Sequence, residues 1–365
     1  MKIINFTVGP VQMDKETRRL GKNQIPYFRT PEFSSLMKEN EKLLCEFFDA
    51  PDESRVIFMT ASGTASMEAS VMNFFTPQDK VLVVNGGSFG HRLVELCSIH
   101  EIPFEEIKLD YGKALTKEIL DRYEGKGFTG FLIQLCETST GIKYNMKLAG
   151  DFCKRNNILF FVDAISGFLA DEFSMKKMNV DIAITGSQKA LALPPGLSLI
   201  TINKTAIEKC CSNKIKSMYF NLQDYLKNGE RGQTPFTPAV GTLIQLSDKL
   251  KRIKANGGIQ AENKKYSEQA AYFRSKVKSE GLPFKMFIEE EDASNCVTAL
   301  MHKDSQINAY SIFEKLKDEY GIWVCPNGGD LKEKVFRVGH IGAITKKEID
   351  RLIKAFKSLQ KRGII

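Results

Sequence analysis

Ile158-Leu159-Phe160-Phe161-Val162-Asp163 and, further on, Asp181-Ile182-Ala183-Ile184-Thr185-Gly186-Ser187-Gln188-Lys189 are two apolar runs of one kind. Neither alternates polar with apolar residues, and each stops abruptly at polar or small ones. A strand with this pattern is buried on both faces, the condition of a parallel sheet held between two helical layers. The same signature recurs at 56–59 (VIFM), 80–84 (KVLVV), 130–135 (GFLIQL) and 197–202 (LSLITI). Helical patterns separate the runs, for instance over 65–75. The expected fold class is α/β: a large domain whose central sheet is mainly parallel and lies between helices.

Beyond about residue 240 the pattern changes. Helical periodicity runs over 240–254, breaks at Asn256-Gly257-Gly258, and resumes to Ser279. Short strand-like pieces follow at 296–300 and 335–338. The end is an amphipathic helix with Ile349, Leu352, Ile353, Phe356 and Leu359 on one stripe. These features predict a smaller C-terminal α+β domain. The division expected is an N-terminal segment (1–15), a large domain (16–245) and a small domain (246–365).

Composition excludes several classes of protein. Of 365 residues, 42% are hydrophobic and 26% charged, a globular mixture and not that of a disordered chain or a coiled-coil rod. The net charge of +8 is mild for this length, and the basic stretch 249–254 reads as a solvated helix face, so no nucleic-acid partner is expected. The eight cysteines, at 45, 97, 136, 153, 210, 211, 296 and 325, form no CxxC pair, and the four histidines are scattered, so neither a disulfide framework nor a metal centre is expected. The opening MKIINFTVGP lacks the apolar core of a signal peptide, and no stretch approaches the ~20 apolar residues of a membrane span. The expectation is a cytoplasmic protein with no membrane partner.

In an open parallel sheet, ligands lie at the carboxyl ends of the strands. Four polar features fall there. Thr60-Ala61-Ser62-Gly63-Thr64 joins a strand to a helix, where small residues and free N–H groups suit a phosphate; it also reads as an ordinary helix cap. Asp163 can face a protonated ring nitrogen, or stand as a turn residue. Lys189, with apolar residues and Pro194-Pro195-Gly196 after it, can have its amine deprotonated by desolvation and form a Schiff base, or be solvated. Phe89, between glycines in Asn85-Gly86-Gly87-Ser88-Phe89-Gly90, can stack on a ring, or fill the core beside a turn. Singly each is weak. Together they are a phosphate cradle, a ring stacker, an anion for a ring nitrogen and a Schiff-base lysine, which is what pyridoxal phosphate needs.

With these residues in place the sequence resembles the fold-type I, class V pyridoxal-phosphate aminotransferases, near the alanine–glyoxylate and serine–pyruvate group. The segments that carry the resemblance run nearly end to end: Val8-Gly9-Pro10, the stretch from Arg29 to Phe33, Ser62-Gly63-Thr64, Gly87 to Gly90, Glu137-Thr138-Ser139-Thr140-Gly141, Phe161 to Ala164, Thr185 to Ala190, Thr234 to Pro238, and Phe336-Arg337-Val338-Gly339. The resemblance implies that Lys189 carries the Schiff base and moves the substrate proton, and that Asp163 pairs with the ring nitrogen. It implies that Phe89 stacks on the ring, with Ile165 behind it and Thr138 near its hydroxyl. Ser62, Gly63, Thr64 and Gln188 would hold the phosphate. Thr237 and Thr234 would reach the cofactor of a second subunit, making a homodimer with shared sites. Arg337 would clamp the substrate α-carboxylate, Gly9 would lend backbone near the substrate, and Arg29 would touch substrate or support the dimer.

The function implied is ping-pong transamination from a small amino acid (alanine, serine or aspartate type) to a 2-oxo acid (glyoxylate or pyruvate type). A 2-aminoethylphosphonate–pyruvate aminotransferase would carry the same cofactor residues. A cysteine desulfurase shares the fold but usually has His before the lysine, where this chain has Gln188; Cys325, in a Gly-rich loop, is read as structural. A non-catalytic metabolite sensor is disfavoured by the intact Lys189, Asp163 and Arg337. His340 is assigned no chemistry.

Overall fold

The computed structural model describes residues 3–365. Its centre is a seven-stranded sheet of β1 (Arg55–Met59), β2 (Val81–Asn85), β3 (Phe104–Lys108), β4 (Gly130–Gln134), β5 (Leu159–Asp163), β6 (Ile182–Gly186) and β7 (Ser198–Ile202). The spatial order is β1-β7-β6-β5-β4-β2-β3. Neighbours from β6 to β3 pair in parallel, while β7 runs antiparallel to both β6 and β1. The six runs expected from sequence are six of these strands. The seventh, β3, is Phe-Glu-Glu-Ile-Lys, and only Ile107 of it is buried. It lies on the sheet edge, where water faces half of its side chains, so the fully apolar signature does not arise there.

The central strands are apolar throughout because both faces are covered. Phe131, Ile133, Phe160 and Val162 enter one core layer, while Leu132 and Phe161, pointing the other way, enter the second. Helices α1 (Pro31–Phe47) and α4 (Val240–Ala255) pack together on the first side. Helices α2 (Gly63–Phe74) and α3 (Ser88–Ile99) follow β1 and β2 and cover the second. All the parallel strands therefore point their carboxyl ends the same way, and the loops after them share one rim.

A second sheet, antiparallel and four-stranded, is built from β8 (Phe284–Met286), β9 (Val297–His302), β10 (Cys325–Pro326) and β11 (Val335–Gly339) in the order β8-β9-β11-β10. Helices α5 (Gly258–Ser279) and α6 (Lys346–Lys361) seal it around Phe273, Phe284, Leu300, Phe336 and Phe356. The stripe of α6 read from sequence is its buried face, and a Thr345/Glu348 capping box fixes its start. The first described residues join this small layer. Ile4 and Asn5 pair in parallel with Ile322 and Trp323, Phe6 is fully buried, and Gly339 N–H donates to the Phe6 carbonyl at 2.7 Å. The chain then crosses to the large sheet, where Val11 N–H donates to the Gln188 carbonyl at 3.1 Å. No helix among the described residues is long and apolar enough to cross a membrane.

Candidate active site

The turn after β6 carries Lys189 into the cleft between the two layers. Its side chain is buried, and Nζ donates to the Val8 carbonyl at 2.8 Å. Burial lowers the pKa of the amine below the ordinary lysine value, the Arg337 charge adds to this, and the Asp163 charge opposes it. Gly9 is as close as backbone can come: a Cβ there would stand 2.7 Å from Lys189 Cδ and 2.8 Å from Nζ. Its φ of +139° suits only glycine.

Asp163 ends β5 beside that lysine. Its Oδ1 accepts the Ile165 N–H at 2.9 Å, which fixes the carboxylate across the turn. Burial pushes its carboxyl up to about 6, against that hydrogen bond and the charges of Lys189 and Arg92. Ile165 reaches from the same turn to the first residue of α2, where a Cβ on Gly63 would lie 2.6 Å from Ile165 Cδ1. Ser62 holds the extended N-cap conformation of α2 but makes no side-chain cap hydrogen bond. Its hydroxyl stands beside the start of a twelve-residue helix whose first N–H groups and dipole favour an anion. The Thr64 hydroxyl accepts from Arg92 Nη1 at 3.3 Å, and the same guanidinium lies 5.1 Å from the Phe89 ring centroid.

Arg337 stands on β11, in register with Ala299 on one side and Cys325 on the other. It is buried, and two backbone carbonyls splay its fork: Nη1 donates to Thr138 at 3.1 Å and Nη2 to Pro326 at 2.6 Å. Nε has no partner among the described residues. A guanidinium held by two carbonyls with its Nε unpartnered is able to bond a carboxylate. Thr138 also bonds Ser166 through the two hydroxyls at 2.6 Å, so the Arg337 layer and the Asp163 turn are tied together.

The other expected residues lie outside this cluster or only at its edge. Arg29 is exposed; it donates to the Thr234 carbonyl at 3.2 Å and lies 4.7 Å over the Phe28 ring, so it braces the 233–235 segment of its own chain. The Thr234 hydroxyl turns inward to the Phe236 carbonyl at 2.7 Å, whereas Thr237 is exposed. Gln188 is half-buried next to Lys189. Cys325 belongs to β10, not to a loop, and the strand holds it opposite Arg337. His340 is buried with Nε2 against the Thr298 hydroxyl at 2.7 Å, and burial keeps it neutral.

Two residues near the cluster have no role assigned from sequence, although Glu137 opens one of the segments that carry the family resemblance. Glu137 is fully buried and accepts the N–H groups of Phe89 at 3.1 Å and Gly90 at 2.9 Å, pinning the first turn of α3 that carries the ring of Phe89. Burial raises its carboxyl above the ordinary value. Arg92 follows Phe89 by one helical turn, a spacing that places it over the ring but resembles any surface i,i+3 pair.

Comparison with known proteins gives the class. Residues 26–352 match the family described as Aminotransferase class-V. The chain is 30% identical over 354 residues to the soluble hydrogenase 42 kDa subunit of Anabaena cylindrica, covering 95% of this chain and 90% of that protein. It is 28% identical over 350 residues to the L-aspartate–glyoxylate aminotransferase of Paracoccus denitrificans, covering 93% and 86%. The fold superposes on alanine–glyoxylate aminotransferase from Nostoc sp. with a TM-score of 0.92 at 24% identity, over 99% of this chain and 96% of that one. The architecture is that of the fold-type I transferases. Within it, the chain belongs to the class V aminotransferases, a family whose cofactor is pyridoxal 5′-phosphate, and it is a transaminase.

Proposed function

We propose that this transaminase moves the amino group of a small amino acid, of alanine, serine or aspartate type, to a 2-oxo acid of glyoxylate or pyruvate type, using pyridoxal phosphate held by Lys189. The observation that carries this reading is the buried Lys189 amine, flanked by the Asp163 anion and the Arg337 cation within one cleft. The names of the glyoxylate-using relatives support the substrate classes.

When bound, the cofactor supplies a carbonyl to take the amino group and a cationic ring that draws electrons from the substrate Cα. The protein's own residues do the rest. Ser62, Gly63 and Thr64 at the start of α2, with Gln188, would hold the phosphate; Arg92 adds a cation there. Asp163 would keep the ring nitrogen protonated, and its raised pKa matters because a cationic partner would restore its charge in a buried place. Phe89 and Ile165 would hold the ring between them, and Thr138 would serve its hydroxyl. Arg337 holds the substrate carboxylate, which fixes the Cα–H bond toward Lys189. The lysine amine, disfavoured as a cation by burial, would take the Cα proton and hold it for return. Gly9 keeps backbone, and no side chain, against that amine.

The unit is proposed to be a homodimer, with Thr237 and less directly Thr234 facing the partner's cofactor phosphate. Ile25, Tyr27 and Met218 are large apolar side chains left exposed, of the kind a partner subunit would cover. A reducing compartment, the cytoplasm, suits eight cysteines that are all free thiols. The large and small layers are read as domains 16–245 and 246–365, with 1–15 as a strap between them.

The test is the visible spectrum of the purified protein, titrated in turn with alanine, serine, aspartate and 2-aminoethylphosphonate, with Lys189→Ala as control. Bleaching of the cofactor band by one donor and recovery with glyoxylate or pyruvate supports the reading and names the pair. A protein that stays colourless with added pyridoxal phosphate sinks it. Bleaching by 2-aminoethylphosphonate alone would replace the substrate class, and sulfide released from cysteine would replace the reaction.

A further inference from the structure

Gln134 ends β4, one strand away from Asp163, and the two are register partners. In parallel register their side chains leave the same face of the sheet. Leu132 and Phe161, two residues earlier on each strand, enter the same core layer beneath α2 and α3, so this face is the one that carries the site. Gln134 is completely buried, and neither its Oε1 nor its Nε2 has a partner among the described residues. Its oxygen lies under the first turn of α3, since a Cβ on Gly90 would stand 3.2 Å from it. A buried amide with both ends unpaired opposes folding, and a leucine or methionine there would serve the core better. A polar group kept at such a place needs a polar task within reach.

A polar group on the same face, one strand away, is the Asp163 carboxylate, to which the Gln134 amide makes no direct hydrogen bond in its present rotamer. The carboxylate's Oδ1 is engaged by the Ile165 N–H, and Oδ2 receives no hydrogen bond from any described residue. The charged groups that face Asp163 are Lys189 from the turn after β6, Glu137 from the segment after β4, and Arg92 from α3. Of these, Glu137 repels it and the two cations attract it. No neutral donor of the site other than the Ile165 backbone acts on this carboxylate, and Gln134 is the neighbouring strand's own candidate for that part.

We propose that Gln134 is a positioning residue for Asp163, its amide donating to the carboxylate directly or through one water and so keeping it oriented and ionised. The purpose of an ionised Asp163 rests on the cofactor reading above. The coupling itself belongs to the protein free of cofactor and is measured there.

The experiment uses full-length, cofactor-free protein labelled with [13C]aspartate, the Asp163 signal being identified by its loss in Asp163→Asn. In Gln134→Met, which keeps side-chain length and removes both polar atoms, Asp163 should titrate about one pH unit higher than in the parent. At a pH below both midpoints pyridoxal phosphate should bind about tenfold more weakly, the limit set by a one-unit difference, and the gap should close as pH rises above them. In the unsubstituted protein the Gln134 side-chain amide resonance should shift with the same midpoint as Asp163, a readout that does not depend on how any variant folds. An Asp163 titration unmoved by Gln134→Met, or an amide resonance that ignores it, overturns the proposal, since a merely structural glutamine would behave so. If the titrations are coupled but the parent protein takes up no pyridoxal phosphate, the positioning role stands and the function proposed above falls.

Discussion

The carbonyl of Val8 accepts a hydrogen bond from Nζ of Lys189 at 2.8 Å, joining two residues 181 positions apart in the chain. Val8 arrives there because Ile4 and Asn5 are paired into the small layer and Phe6 is sealed in its core. The lysine is therefore oriented by a strap anchored in one layer while its backbone belongs to the other. Relative movement of the layers would change the reach of the amine directly.

That strap makes Gly9 the most sensitive small residue of the site. In Gly9→Ala the new methyl would meet Lys189 Cδ, Cε and Nζ at 2.7–2.8 Å, and the φ of +139° penalises any side chain by about 1–3 kcal/mol. Turnover should fall by about two orders of magnitude or more, the scale expected when a reacting group is displaced by an ångström. Far-ultraviolet circular dichroism should remain that of the parent. Gly63→Ala makes a useful contrast: its methyl meets the end of a flexible Ile165 side chain, which can rotate away, so the loss there should be smaller.

Asp163 should cost the cofactor-free protein stability in a defined pH window. Its folded-state pKa is raised, from 3.8 to about 6, so the group favours folding fully only below the unfolded value. That contribution fades as pH rises through about 6, where a buried anion must be kept. Asp163→Asn should therefore stabilise the cofactor-free protein above pH ~6 by up to about 3 kcal/mol, and make little difference near pH ~4. Urea denaturation at the two pH values measures it. With pyridoxal phosphate present the order should reverse, because the neutral amide of the variant cannot balance a cationic ring.

Arg337→Lys keeps the charge and loses the fork. The two carbonyls of Thr138 and Pro326 that splay the guanidinium would be left competing for one ammonium. The Michaelis constant for the amino donor should rise about 10- to 100-fold, equivalent to the ~1.5–3 kcal/mol of a hydrogen bond to a charged group. Steady-state kinetics with donor varied at fixed 2-oxo acid will separate this from a change in turnover number.

Glu137→Gln replaces one carboxylate oxygen with an NH2 group in front of N–H donors from Phe89, Gly90 and Ser139. At least one donor must lose its acceptor, at a cost of about 1–3 kcal/mol to the fold. The first turn of α3 should loosen and Phe89 with it. The midpoint of thermal unfolding should drop, and affinity for pyridoxal phosphate should fall alongside; an unchanged affinity would detach Glu137 from the site.

The apolar runs at 158–162 and 182–184 announce buried strands by themselves, since only a sheet covered on both faces tolerates such sequences in water. Their last residues, Asp163 and the Gly186-to-Lys189 turn, then fall on one rim by the geometry of parallel pairing. Phe89 reaches the same rim for the same reason, and Ser62-Gly63-Thr64 reaches it because two successive antiparallel pairings, β6 with β7 and β7 with β1, leave β1 running with the parallel strands. To that extent the chain's local pattern determines both the architecture and the neighbourhood of the chemistry. What it leaves open are the pairings that depend on long-range closure. Arg29 reads from sequence as a substrate contact or a support for the dimer, and only the fold shows that it bonds the 233–235 segment of its own chain. Edge strand β3 is invisible as an apolar run because half of it faces water. Glu137 and Gln134 look like ordinary polar residues near a strand end; only their burial, between a helix terminus and the sheet, turns one into an anchor for Phe89 and leaves the other on the face of Asp163 without a partner. Hydrophobic periodicity is a local property and is written in the chain. The environment of a buried charge or amide is the sum of segments far apart in sequence, and tertiary packing alone sets it.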